Sequence, residues 1–362
     1  MNFEYLHLFV KNAASWRDWF IQKLDFWPIS GEAIQQLGEF AVRHHHILIL
    51  ISSEQSSRPE VGQFLQRYSE GVGDVAFRVQ NLDAVVADFK SAGGLLTKPI
   101  QLFQTSRGNL RWCQVKGWGS LVHTLIESAE AKISALGDSP TAAEMSNLPW
   151  LAIDHAVLNV SPGELAQAVT WYEYLGFEPQ QQFVIETPRS GLRSIVLKHP
   201  DGEATLPINE PTSENSQVQE FIDAHRGAGV QHVALKTRNL VQTIAQLRTR
   251  GLSFLSVPDA YYQQLRSRAG FWNDAGDWDA IAEQQILVDW PPEDPHTRLL
   301  QTFTQPLFDK PTFFWEFIER QSRPTPAGLK TAEGFGEGNF QALFEAIERE
   351  QQLRGSLGSM GG

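Results

Sequence analysis

Apolar and polar positions alternate with period two over residues 153–160, the pattern of a half-buried strand. Ser161-Pro162-Gly163-Glu164 follows and reads as a capping box, with Ser161 as N-cap, Pro162 at N1 and Glu164 at N3. Leu165, Ala168, Val169 and Tyr172 then recur at helical spacing before Gly176, which predicts an amphipathic helix. Alternation resumes at 193–197 and 205–208, either side of His199-Pro200-Asp201-Gly202, so a hairpin is expected there. The unit is a strand, a helix and three further strands.

The same pattern recurs. Val72-Gly73-Asp74-Val75-Ala76-Phe77-Arg78-Val79-Gln80-Asn81-Leu82 aligns with Val230-Gln231-His232-Val233-Ala234-Leu235-Lys236-Thr237-Arg238-Asn239-Leu240, and helical patterns follow at 84–93 and 241–251. Leu6-His7-Leu8-Phe9-Val10 matches Asp154-His155-Ala156-Val157-Leu158, and His123-Thr124-Leu125-Ile126-Glu127 matches Trp315-Glu316-Phe317-Ile318-Glu319. An α+β chain of four βαβββ modules is expected, two per half. Residues 128–149 are poor in large apolar side chains and read as a linker, dividing the chain into domains 1–145 and 146–362.

Composition narrows the functions open to such a chain. With 362 residues and a formal charge of −12, it lacks the basic surface that tracks a phosphate backbone, so nucleic acid is excluded as a partner. Its longest apolar runs fall far short of a bilayer span, and no secretory signal opens it, so a cytoplasmic protein without a membrane partner is expected. The single cysteine, Cys113, excludes an internal disulfide or a Cys-rich metal site. A bound metal must be held by histidines and carboxylates, a donor set suited to Fe(II), Mn(II) or Zn(II).

If the halves share ancestry but only one is active, polar residues at equivalent positions should differ. The alignment sets His7, Asp74 and Thr124 against His155, His232 and Glu316. Only the second half offers two imidazoles and a carboxylate, the composition of a facial triad that leaves coordination positions open. The spacings, 232 − 155 = 77 and 316 − 232 = 84, draw each ligand from its own strand. A histidine in an alternating strand is more often a hydrogen-bonded core residue than a ligand, so the three residues alone leave a structural reading open. A ferrous ion there would retain one positive charge and favour an anionic chelating substrate.

Further motifs bear on the choice. Ile153-Asp154-His155, Leu206-Pro207-Ile208-Asn209-Glu210-Pro211, Gly227-Ala228-Gly229-Val230-Gln231-His232, Leu299-Leu300-Gln301-Thr302-Phe303-Thr304, Pro311-Thr312-Phe313-Phe314-Trp315-Glu316 and Gly334-Phe335-Gly336-Glu337-Gly338-Asn339-Phe340 run through the second half. In this order they resemble the 4-hydroxyphenylpyruvate dioxygenase family of the vicinal oxygen chelate superfamily. The resemblance implies two open mixed-sheet barrels, a non-catalytic first half, and a C-terminal helix, 339–350, that closes over the site. It implies Fe(II) held by His155, His232 and Glu316. It implies a pocket formed by Ser194, Asn209, Gln217, Gln301, Phe303, Phe314, Phe335, Asn339 and Phe340, with Pro207 and Gln231 as weaker members. Strand parity points Gln231 away from His232. Taken alone, Gln217 reads as a solvated helix residue and Phe340 as a core anchor; Asn339 is a candidate cap for the last helix.

The implied reaction takes 4-hydroxyphenylpyruvate and O2 to homogentisate and CO2, within tyrosine catabolism or tocopherol biosynthesis, in a homo-oligomer (dimer or tetramer). The alternatives are 4-hydroxymandelate synthase, an extradiol ring-cleaving dioxygenase, and a non-enzymatic binding protein for aromatic acids. His44-His45-His46 reads as a solvated strand edge, because neighbours on a strand face opposite ways. His199, His225 and His296 are placed in loop or surface-helix contexts, and Glu319 is expected to face away from Glu316 and to pair an arginine. Segments 270–278 and 290–295 depart from the family pattern, as does Trp315, whose parity turns it away from the metal.

Overall fold

A computed structural model describes residues 1–31, 34, 37–105, 108–128, 148–186, 190–272, 277–326, 328–340, 342 and 347. The first module is β1 (Asn2–Phe9), α1 (Ala13–Leu24), β2 (Trp27–Ile29), β3 (Phe40–His44) and β4 (Ile47–Ser52). Helix α2 (Pro59–Arg67) leads to the second: β5 (Gly71–Val79), α3 (Leu82–Ser91), β6 (Leu96–Thr105), β7 (Gly108–Lys116) and β8 (Val122–Ser128). The third is β9 (Trp150–Asn159), α4 (Leu165–Glu173), β10 (Glu178–Glu186), β11 (Gly191–Lys198) and β12 (Thr205–Pro211). After α5 (Gln217–His225) comes the fourth: β13 (Gly229–Thr237), α6 (Leu240–Thr249), the short α7 (Asp259–Leu265) and α8 (Trp278–Glu283), then β14 (Leu287–Asp289), β15 (Leu299–Phe303) and β16 (Phe314–Arg320). A hairpin, β17 (Ser322–Thr325) with β18 (Gly328–Thr331), follows.

Each half forms one eight-stranded sheet, and the two share one strand order: β2-β3-β4-β1-β5-β8-β7-β6 and β10-β11-β12-β9-β13-β16-β15-β14. Modules join along the antiparallel pairs β1–β5 and β9–β13, whereas β1–β4, β5–β8, β9–β12 and β13–β16 are parallel. These are the four modules and two open, mixed sheets expected. Residues 129–147 of the linker expected over 128–149 lie outside the described residues.

The local chemistry repeats with the topology. Asn81 and Asn239 cap α3 and α6, each side-chain oxygen accepting from a backbone N–H three residues on, at 3.0 Å. Glu127 and Glu319 close the same two ends by accepting from Leu82 N (2.9 Å) and Leu240 N (2.7 Å). Glu319 therefore serves a helix N-terminus, and its charge also acts on Arg298, the kind of arginine partner expected. Helix α4 buries Leu165, Ala168, Val169 and Tyr172, the four residues its spacing marked. Its capping box is half formed: Glu164 accepts from Ser161 N at 3.1 Å, but the Ser161 hydroxyl makes no capping bond. Gly163, at φ 84°, turns the chain there, so the helix begins at Leu165.

The halves share one core. Trp315 is fully buried, edge-on to Phe20 of α1, and Trp150 donates its indole N–H to Leu24 O at 2.9 Å. Two histidines differ from expectation. His44 is buried against Phe26 and Trp27, because only His45 and His46 form the exposed β3–β4 turn. His225 is buried too, stacked on Tyr68 and Phe221 and bonded to Ser120 Oγ at 3.1 Å, since the outer face of α5 packs on the first half. Of the predicted helix at 339–350, Asn339, Phe340, Ala342 and Ile347 are described; Glu337–Asn339 is a 3₁₀ turn, and the rest lies outside the described residues.

Candidate functional site

Three adjacent strands, β9, β13 and β16, bring the candidate ligands together. Ala234 on β13 pairs with His155 on one side and Glu316 on the other, so both side chains leave the sheet on the face of the Ala234 methyl. His232, two residues earlier on β13, shares that face. One ligand atom from each of His155, His232 and Glu316 lies within 4.8 Å of the others. Glu316 Oε2 is 3.1 Å from His155 Nε2 and 3.6 Å from His232 Nε2.

Outer contacts fix both rings. His155 Nδ1 donates to Asp154 Oδ1 at 2.9 Å, and His232 Nδ1 lies 3.3 Å from Gln231 Oε1. Both Nε2 atoms are thereby aimed at the shared point. Neighbouring residues can both face the site because β9 and β13 slip register between Val230 and His232, and again between Ala234 and Leu235, opposite Asp154. A bulge of this kind breaks alternation. Gln231 consequently lines the cavity with His232, contrary to the parity reading.

Asp154 also accepts both arms of the Arg320 guanidinium, at 2.7 and 2.8 Å, and Arg320 donates to Gly334 O at 2.8 Å. Burial would raise the Asp154 pKa, but Arg320 overrides it and holds the carboxyl below the usual range. Burial opposes a charge on His155, yet Glu316 and Asp154 outweigh it and lift that imidazole to about 9. Burial and the neighbouring His155 push His232 well down. In the protein alone a proton on His155 faces Glu316; a divalent cation would take the place of that proton.

A cavity of about 580 Å³ opens over the three residues. Of the residues singled out in the sequence, Pro207, Asn209, Gln217, Gln231, Gln301, Phe303, Phe314, Phe335 and Phe340 line it. Ser194 and Asn339 do not. Ser194 pairs with Asn209 across β11–β12, but its short side chain stays behind the wall, fully buried, its hydroxyl without a hydrogen bond. Asn339 is no cap: it donates to Gln301 Oε1 at 3.0 Å and accepts from Tyr261 at 2.7 Å. Gln301 in turn donates to Glu316 Oε1 at 3.3 Å, so this amide chain orients the carboxylate. Gly336 permits the approach, since a Cβ there would lie 1.7 Å from Gln301 Oε1.

Val157, Phe183, Ile185, Leu192 and Ile347 complete the walls and were not read from the sequence. Two steps from His155 on one strand, Val157 could have been found by parity. The wall residue Gln217 is buried at the start of α5, with Oε1 unpartnered.

Register corrects one pairing of the halves. Tyr5 sits opposite Ala76 as His155 sits opposite Ala234, and Val10 N bonds Ser52 O as Val160 N bonds Asn209 O. Tyr5, not His7, is the counterpart of His155; the offset of two preserved parity and was masked by a matching histidine. In the first half Asp74 accepts from Tyr5 Oη at 3.2 Å, from Thr124 N at 2.9 Å and from the Thr124 hydroxyl. A closed hydrogen-bond cluster stands where the second half gathers its three candidate ligands.

A family model described as the Glyoxalase/Bleomycin resistance protein/Dioxygenase superfamily matches residues 152–282. The chain is 34% identical to a 4-hydroxyphenylpyruvate dioxygenase from Caenorhabditis briggsae, covering 98% of this chain and 93% of that one. It is 33% identical to the Danio rerio 4-hydroxyphenylpyruvate dioxygenase over 99% of this chain and 92% of that one. The structure of a triply substituted 4-hydroxymandelate synthase from Streptomyces coelicolor superposes with TM-score 0.79 at 23% identity, covering 97% and 98% of the two chains, and shares the fold.

Proposed function

Because the chain belongs to the 4-hydroxyphenylpyruvate dioxygenase family, we propose that it converts 4-hydroxyphenylpyruvate and O2 to homogentisate and CO2 in its second half. The observation that carries the reading is the meeting of His155, His232 and Glu316 at one end of an aromatic-walled cavity. Two imidazoles and one carboxylate, with both Nδ1 atoms engaged elsewhere, fit a divalent metal with open positions. Held there, Fe(II) would supply a Lewis acid for a 2-oxo acid and a means of activating O2.

The remaining chemistry belongs to the protein. Asp154 and Gln231 hold the imidazoles; Gln301, fixed by Asn339, holds Glu316. Asn209 spends one amide N–H on Asn159 Oδ1 at 3.3 Å and keeps its carbonyl for a phenol proton. Buried Gln217 Oε1 offers a second acceptor, and Ser194 backs Asn209 with an unused hydroxyl. Phe303, Phe314, Phe335 and Phe340 hold an aryl ring between its polar ends and exclude water.

Among the described residues no helix is long and apolar enough to cross a membrane. A cytoplasmic homo-oligomer with a domain boundary near residue 146, a first half without catalysis and a closing C-terminal helix belongs to the same proposal. Oxygen uptake by the Fe(II)-loaded protein with 4-hydroxyphenylpyruvate, followed by product analysis, tests it. Homogentisate is expected; 4-hydroxymandelate, or no oxygen consumption, overturns the assignment.

A further inference from the structure

The first sheet carries a cavity of its own, of about 740 Å³, over β1, β5 and β8, the counterparts of β9, β13 and β16 in the second. His7, Gly73, Asp74 and Val122 line it; by register they correspond to Val157, Gln231, His232 and Phe314 of the candidate active site. The first half has thus kept the cavity while losing the ligand set.

Its chemistry is different and directed at a different group. Arg58 at the N-cap of α2, Arg67 at the end of α2 and Lys116 at the end of β7 converge on it, against Glu60 and Asp74. Glu60 is engaged by Arg58 at 3.0 Å and by Lys98 at 3.1 Å, and Asp74 is committed to Tyr5 and Thr124. Arg67 and Lys116 have no carboxylate partner among the described residues: Lys116 Nζ donates to Gly119 O at 3.1 Å, and Arg67 lies over the Tyr68 ring. In a chain of formal charge −12, the cavity lining nevertheless carries three cations, Arg58, Arg67 and Lys116, against two carboxylates, Glu60 and Asp74.

Below the cations the walls are aromatic, with Phe9 and Phe64 buried edge to face at 5.1 Å. The floor is His7, buried, which bonds Ser52 Oγ through Nε2 at 2.8 Å and, among the described residues, makes no hydrogen bond through Nδ1. Cations at the rim, rings along the wall and a free imidazole nitrogen at the base form a receptor for an aryl group joined to a carboxylate.

We infer that the first-half cavity is a second binding site, for an aryl-substituted carboxylic acid, with Arg67 and Lys116 holding the carboxylate and Phe9 and Phe64 the ring. The inference does not rest on the metal centre. It is tested with the full-length, metal-free chain and 3-fluorophenylacetate, followed by ¹⁹F NMR titration. The two cations are exposed, so the Arg67→Glu/Lys116→Glu variant tests charge without touching the core, and Arg67→Lys/Lys116→Arg restores it.

Saturable binding is expected in the wild type, weakened at least about tenfold by charge reversal and recovered in the conservative pair. Turnover of 4-hydroxyphenylpyruvate at saturating substrate should stay within about twofold across the set, a factor below 0.5 kcal/mol. The inference is overturned if the wild type does not bind, if reversal leaves affinity unchanged, as binding confined to the second-half cavity would, or if neutral 3-fluorophenylacetamide binds equally well.

Discussion

The Asp154–Arg320 pair joins the candidate metal centre to the strand-end loop that carries Phe335 and Asn339, and its removal separates two effects. Both side chains are largely buried, at 9% and 12% exposure, and Asp154 accepts three hydrogen bonds, two from Arg320 and one from His155. Asp154→Ala strips the guanidinium of its partner, and breaking a buried pair on one side costs about 3–5 kcal/mol. Replacing both members, Asp154→Leu with Arg320→Met, removes the stranded charge together with its partner and should return most of that loss. Metal affinity follows a different rule, because only Asp154 bonds the ligand ring. Losing such a partner costs about 10- to 100-fold in affinity. The double variant should therefore regain stability in urea unfolding yet keep the weakened Fe(II) binding of Asp154→Ala. An Asp154→Ala cost below about 1 kcal/mol, or wild-type Fe(II) affinity in the double variant, refutes this account of the pair.

Other outcomes follow from the same contacts. His123 bridges Val75 O (2.9 Å) and Tyr172 Oη (3.0 Å) across the halves, and burial pushes its pKa down to about 4. A depressed base is stabilising above its unfolded pKa near 6.5 and loses that contribution, about 3 kcal/mol, as pH falls through 4. Urea unfolding between pH 6.5 and 4.5 should lose stability less steeply in His123→Phe than in the wild type; equal slopes would count against the assignment. Asn209→Ala and Gln217→Ala should raise KM for 4-hydroxyphenylpyruvate about tenfold, the loss of one hydrogen bond to the substrate, while leaving KM for phenylpyruvate nearly unchanged; steady-state kinetics with the two substrates decides. Trp315→Ala should cost about 3–5 kcal/mol through its cavity. Trp315→Phe should cost clearly less, since the buried indole N–H has no hydrogen-bond partner to lose; thermal unfolding distinguishes them.

Much of this was legible in the chain because alternation and helical spacing are local. The module order, the 193–208 hairpin and the buried face of α4 follow from it. Comparison of the halves also isolates His155, His232 and Glu316. The failures have specific physical sources. Parity cannot detect a strand offset of two, so His7 stood in for Tyr5. Nor can it detect a bulge, so Gln231 was turned from the site it lines. Gly163 moved the start of α4 and left the Ser161 hydroxyl out of the cap. The clamp of Arg320 on Asp154 spans 166 positions, and no local pattern announces a contact of that range. His225 depended on tertiary packing in the same way, between the halves.

The central claim, that His155, His232 and Glu316 hold one metal ion open to a chelating 2-oxo acid, is tested most directly by anaerobic Fe(II) titration of the full-length chain in the presence of 4-hydroxyphenylpyruvate. The visible charge-transfer absorption of a chelated 2-oxo acid should rise to one equivalent of iron and be absent from Glu316→Ala. No absorption in the wild type, or an undiminished band in Glu316→Ala, contradicts it.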